Sequence, residues 1–146
     1  EFYCNSDLGF ANSKARLRMV TLYQIASSKN GIVVGTGNKV EDFGVGFFTK
    51  YGDGGVDISP IADLRKSEVK ELATELSIKA DIINADPTDG LWDDGRTDED
   101  QLGLTYDQIE DAMVNDNSPH KKDYKKIRDK NLHKMTPIPV CKFDED

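Results

Sequence analysis

The chain is poor in the residues from which several common active sites are built. Among 146 residues there are two cysteines, two histidines and one tryptophan. Cys4 and Cys141 lie near opposite ends, with no C-x-x-C pair and no cysteine or histidine cluster. A disulfide framework or structural zinc site therefore lacks support, and a reducing cytoplasm is the default location. Neither G-x-S-x-G nor H-E-x-x-H occurs, and His120 and His133 have no triad partner fixed by spacing. No apolar run approaches the roughly 20 residues that span a bilayer. Glu1-Phe2-Tyr3-Cys4 has neither the charged nor the apolar segment of a secretory leader, and with Glu where an initiator Met would stand, the natural start is expected upstream. Positive charge is also short, 19 Lys and Arg against 27 Asp and Glu, a net charge of −8. Repulsion of that sign argues against a protein that coats nucleic acid or an anionic membrane, but a locally basic site can still take an anionic substrate.

What is present has the pattern of one α/β domain, and the length suits a single core. Asn12-Ser13 can cap a helix with Met19, Leu22, Tyr23 and Ala26 at helical spacing, closed by Asn30-Gly31. Ile32-Val33-Val34 has the all-apolar character of a strand buried on both faces, and Gly35-Thr36-Gly37 follows where parallel α/β sheets place their ligand crevice. That turn fails the dinucleotide fingerprint, because Val40 stands where its third glycine belongs. Glu41 and Asp42 are either solvated helix acids or a magnesium ligand. Asp53-Gly54-Gly55 and Asp93-Asp94-Gly95 do not fit a calcium loop, since Lys50 and Gly90 occupy the first-ligand positions.

Val69, Leu72, Ala73 and Leu76 form the stripe of an amphipathic helix. Residues 86–104, rich in acids, glycine and a proline, are expected to form a long loop or lid. Thr105-x-x-Gln108 is a capping box opening a helix that turns Ile109, Ala112 and Met113 inward, and Ser118-Pro119 is expected to start another. Charge is segregated. Residues 86–116 hold eleven acids against Arg96 alone, whereas 121–134 hold seven bases against Asp123 and Asp129. A solvated helix face is the ordinary reading of that basic run within the 119–146 helix and tail, with phosphate or nucleic-acid contact the minority one. Between the two glycine turns, Phe47-Phe48-Thr49-Lys50-Tyr51-Gly52-Asp53-Gly54-Gly55-Val56-Asp57 sets aromatics, charges and glycines side by side. A core turn accounts for the aromatics and leaves the charges unexplained.

The run from Val34 to Lys66, together with Pro87-Thr88-Asp89-Gly90-Leu91-Trp92 through Gly103, closely resembles the ammonia-dependent NAD synthetases. Asn12-x-Lys14-Ala15-Arg16-x-Arg18 and His133-Lys134 resemble further motifs of that family. The resemblance implies an adenine nucleotide α-hydrolase-like fold, a parallel sheet flanked by helices, and a homodimer with the dinucleotide site at the interface. It implies a ligase that adenylates the nicotinate carboxylate of deamido-NAD with Mg-ATP and lets ammonia displace AMP to give NAD. Carried over by residue, it assigns Thr36 and Thr88 to ATP, Lys66 to the ATP phosphates, and Glu41 to Mg2+. Arg16, Lys50, Asp57, His133 and Lys134 fall to deamido-NAD, and Asp53 to the incoming ammonia. The family's S-G-G-x-D-S phosphate loop has no counterpart in the 146 residues. The chain is therefore expected to be the C-terminal part of a single synthetase domain, inactive by itself. Glu41 to Gly46 is one residue longer than in many members, which leaves Asp42 as an alternative metal ligand; Glu41 keeps the spacing from Thr36. A different class of reading is a non-catalytic nucleotide-binding or regulatory module that retains the dinucleotide pocket.

Overall fold

The computed structural model describes residues 6–143, so Cys4 and the sequence before it lie outside the described part, as do the last three residues. Helix α1, Asp7–Ser28, starts earlier than Asn12-Ser13 because Ser6 already caps it, its hydroxyl accepting the Gly9 amide at 3.1 Å. Asn30, at a positive φ of 52°, and Gly31 end it as expected. Only Ala11 and Ala15 of α1 are buried. These small side chains let the loop at 49–55 approach the helix: a Cβ on Gly52 would stand 3.0 Å from the Ala15 Cβ and 2.9 Å from Thr49.

The expected buried strand is a single parallel bridge, Val34 to Ile58, with the Gly35 amide donating to the Ile58 carbonyl at 2.8 Å. No larger sheet occurs among the described residues. Val33 is buried while Ile32 and Val34 face solvent, so this segment alternates rather than burying both faces. The chain then enters a seven-residue π-type helix, Lys39–Val45, capped by Asn38, whose side-chain oxygen accepts the amides of Val40 and Glu41. Gly46, at φ 65°, ends it. Helices α2 (Lys66–Glu75) and α3 (Ala80–Ile83) follow. The α2 stripe is present, but no α2 residue is fully buried and Leu72 and Leu76 are exposed, so the expected inward face has no cover among the described residues.

Within 86–104, one short helix, α4 (Asp98–Leu102), interrupts otherwise irregular chain. Its Asp98 amide bonds to the Pro87 carbonyl. Helix α5, Tyr106–Val114, opens on the predicted Thr105/Gln108 capping box and buries Ile109 and Ala112. Helix α6, Lys121–Met135, begins after the turn that Ser118-Pro119 makes rather than within it. The core joins the π-type helix to α5 and α6: Val40, Val45, Leu104, Tyr106, Ile109, Ala112 and Tyr124.

The basic face of α6 has an internal task. Lys121 donates to the Ala112 carbonyl at the end of α5, Arg128 to the Phe43 and Gly44 carbonyls, and Asn131 to the Val45 carbonyl. Carbonyls at a helix end lack intrahelical partners and carry partial negative charge, so donors and cations supplied by a neighbouring helix stabilise them. This part of the expected solvated face is thus structural.

Candidate functional site

One large open cavity, about 1210 Å3, is walled by α1, the 46–53 loop, the 87–92 segment, α4 and α6. It exceeds the roughly 300–1,000 Å3 usual for small-ligand pockets and so has room for a dinucleotide-sized molecule. Of the ten residues assigned by resemblance, all except Asp57 line it: Thr36, Glu41, Lys66 and Thr88 on the expected ATP side, and Arg16, Lys50, Asp53, His133 and Lys134 on the expected dinucleotide side. Asp57 stands apart, its carboxylate accepting the Val33 amide at 2.7 Å and the Tyr23 hydroxyl at 3.3 Å. It pins the strand-like segment to its neighbour instead of facing the cavity.

Glu41 and Lys66 meet at 3.0 Å, the ammonium on Oε1. The same oxygen accepts the Tyr106 hydroxyl at 2.6 Å, and Lys66 lies 4.8 Å from the centre of the Tyr106 ring. Tyr106 also stands 3.2 Å from Asp98 Oδ2. Burial, followed by the negative charge of Glu41, pushes the Tyr106 hydroxyl well above its ordinary range, so it remains a proton donor. Burial also raises the Asp98 carboxyl, against the lowering effect of the Tyr106 hydrogen bond. Sequence reasoning placed Tyr106 only as the first residue of a capped helix, since nothing in the spacing shows that its hydroxyl crosses to Glu41.

On the other side, the basic residues spend their donors on backbone. Arg16 reaches the Lys50 carbonyl, Lys50 the His133 carbonyl, and Lys134 the carbonyls of Gly46 and Phe48, both at 2.7 Å. Burial lowers the Lys134 ammonium from its ordinary range, and nearby Asp53 partly offsets this. Asp53 accepts the Thr49 amide at 2.9 Å, and desolvation by the surrounding walls raises its carboxyl even though the residue is accessible. Lys14 and Arg18 bond to the carbonyls of Leu91, Asp89 and Gly90, tying the 86–97 segment to α1. The motif around Arg16 contains both, but gives no hint of that partner.

Asp42 turns the other way. Its carboxylate packs against Gly37, where an added Cβ would lie 2.2 Å from Oδ2, and it lines a second, smaller cavity that does not include Glu41. The second glycine of Gly-Thr-Gly thus makes room for a side chain of this protein. Burial, with Glu41 and Asp53 nearby, raises the Asp42 carboxyl to about 6.

A divalent cation fits the first cavity. Glu41 Oε2 has only a 3.4 Å contact with the Asn38 amide, and Asp98 Oδ1 is buried without a hydrogen-bond partner. Hard carboxylate oxygens of this kind suit Mg2+, which commonly keeps several waters and phosphate oxygens as its other ligands. No group of three or more acids, histidines or cysteines placed to hold a metal occurs among the described residues. Among the described residues, the other buried side-chain polar atom without a partner, Trp92 Nε1, also belongs to a cavity-lining residue. Both orphaned groups line the same cavity, where a water or a ligand can complete their hydrogen bonding.

The fold has close solved counterparts. The NMN synthetase of Francisella tularensis superposes with a TM-score of 0.84 at 36% identity, over 95% of this chain and 58% of that one. The NH3-dependent NAD synthetase of Campylobacter jejuni gives 0.69 at 26% identity, over 94% and 57%. The family model for NAD synthase matches residues 3–143. Among curated relatives, the NH(3)-dependent NAD(+) synthetase of Mesoplasma florum is 46% identical over 132 residues, covering 88% of this chain and 51% of its own length. That of Archaeoglobus fulgidus is 41% identical, covering 94% and 57%. The chain belongs to the NAD synthase family, and it spans about half the length of the curated relatives it matches.

Proposed function

We propose that this chain supplies much of the dinucleotide side and part of the ATP side of an ammonia-dependent NAD synthetase acting as a homodimer in the cytoplasm. The observation that carries this reading is the convergence of nine assigned residues on one cavity, drawn from segments as far apart as α1 and the last turn of α6. A carboxylate is a poor acyl donor. In the proposed reaction a nicotinate oxygen of deamido-NAD attacks the α-phosphorus of ATP and pyrophosphate leaves. The nitrogen of ammonia then attacks the acyl carbon, the C–O bond to AMP breaks, and the nitrogen loses a proton. Splitting one hard substitution into two easier ones is the gain.

Thr36 and Thr88 contact ATP, and Lys66 balances charge on the phosphoryl oxygens. Glu41, with Asp98 beside it, holds Mg2+, which supplies charge neutralisation at those phosphates. Arg16, Lys50, His133 and Lys134 line the deamido-NAD side, Lys134 keeping the loop at 46–50 in place through the Gly46 and Phe48 carbonyls while the His133 carbonyl accepts the Lys50 ammonium. Asp53 holds ammonium and accepts its proton, for which a carboxyl raised by desolvation is better matched than an ordinary one.

The test is an assay of AMP and NAD formation from deamido-NAD, Mg-ATP and ammonium. The full-length protein turns over and a purified chain of these 146 residues does not. Turnover by the short chain, or none by the full-length protein, overturns the reading. In the full-length protein Lys66→Ala abolishes adenylation; unchanged turnover removes Lys66 from the site.

The match to an NMN synthetase favours a second reading, in which the acid amidated is nicotinic acid mononucleotide. The ratio of kcat/KM for the two acids decides between them.

A further inference from the structure

Tyr106 and Glu110 stand one turn apart on α5; Tyr106 reaches Glu41 of the Glu41–Lys66 ion pair, and Glu110 reaches Ser67, the residue that follows Lys66. Tyr106 and Glu110 are both buried. Tyr106 donates to Glu41 Oε1 at 2.6 Å. Glu110 takes the Ser67 amide at 2.9 Å and the Ser67 hydroxyl at 2.6 Å, fixing the first turn of α2 immediately after Lys66. A carboxylate bonded to the free amides of a helix start stabilises both the helix and its position.

Glu41 Oε1 is consequently saturated by two donors, Tyr106 and Lys66, while Oε2 keeps only the long contact to Asn38. The hydroxyl has one proton to give, and the shorter distance assigns it to Glu41 rather than Asp98. Lys66 has three donors, and as its ammonium is drawn toward phosphate oxygens its 3.0 Å bond to Oε1 lengthens or is lost. A partly buried carboxylate oxygen stripped of its donors loses stabilisation, and a hydrogen bond that stays in place limits that loss.

We infer that Tyr106 is a positioning residue: it stays on Glu41 Oε1 when Lys66 transfers to the nucleotide phosphates, holding Oε2 toward the divalent cation, while Glu110 anchors the base of Lys66. This rests on the assignment of Glu41 and Lys66 proposed above. The hydroxyl touches no reacting atom and acts through Glu41.

The test uses the full-length protein and Tyr106→Phe, which removes the hydroxyl with little change of shape. Mn2+ binding is read by electron paramagnetic resonance in the presence of a non-hydrolysable ATP analogue. The expected result is about tenfold weaker Mn2+ binding, with a matching rise in the Mg2+ needed for half-maximal rate and no change in KM for deamido-NAD. Mn2+ binding within twofold of the parent overturns the inference, whatever the melting temperature does. If Tyr106→Phe does not fold, Glu110→Gln takes its place. It raises KM for ATP severalfold with KM for deamido-NAD unchanged, and an unaltered KM for ATP overturns the inference. Should the parent bind Mn2+ with the analogue yet show no turnover, the functional reading fails, and the Mn2+ comparison still judges Tyr106.

Discussion

At Asp42, burial and two neighbouring acids hold the folded-state carboxyl near 6, against about 4 when unfolded. The folded protein therefore keeps a proton that the unfolded chain has lost between those values, and stability falls as pH rises through about 4 to 6. Asp42→Asn removes the charge and keeps the shape. Urea denaturation of the full-length variant should show a gain of about 1–2 kcal/mol at pH 7.5, allowing for partial exposure, that vanishes by pH 4. A gain independent of pH rules out this origin. Asp53 gives a separate prediction tied to chemistry. Asp53→Asn should retain ATP–pyrophosphate exchange dependent on deamido-NAD while ammonia-dependent NAD formation falls by at least about 100-fold, the scale of a lost general base. Loss of both activities makes Asp53 a binding or folding residue. The charges around Gly52 were visible in the sequence, and so was the need to explain them. That Asp57 bonds to the Val33 amide rather than facing the cavity was not, because a carboxylate beside a glycine turn reads alike whether a ligand or a strand takes it.

The element with the clearest local signal is α5. Its capping box, inward residues and length follow from Thr105, Gln108 and the spacing of Ile109 and Ala112, because capping chemistry depends only on near neighbours. Thr105→Ala should cost about 1 kcal/mol in equilibrium unfolding. α1 shows the opposite case: Asn12 looks like a cap, yet lies inside the helix, where its side-chain oxygen accepts the Thr49 hydroxyl at 2.7 Å. A residue that favours caps was recruited for a contact 37 positions away, which local reasoning does not reach. The parallel sheet is not confirmed among the described residues, for a related reason. Three β-branched residues suit an extended conformation, but pairing needs partners, and here only Ile58 bridges Val34. At α6 the long-range contacts predict that Asn131→Ala destabilises by about 1–2 kcal/mol, since the Val45 carbonyl then loses its donor. A midpoint unchanged in urea rejects that role.

Across the molecule, apolar side chains remain uncovered on several elements, α1, α2 and α3 among them. Phe10, Leu17 and Val20 lie on the side of α1 away from buried Ala11 and Ala15, and Leu72, Leu76, Ile78 and Ile82 are exposed along α2, α3 and the turn joining them. Patches of this kind favour association. A protein limited to these 146 residues should bind a hydrophobic dye and self-associate in light scattering, whereas a dye-silent monomer contradicts the exposure described. No helix among the described residues is long and apolar enough to cross a membrane. The cavity is similarly a property of the whole, because no single element contains it. Its 46–50 wall hangs on Lys134, whose ammonium grips the Gly46 and Phe48 carbonyls from the final turn of α6. Proteolytic trimming of that turn would thus loosen a loop more than eighty positions upstream, and ligand affinity would report the damage before helix content did.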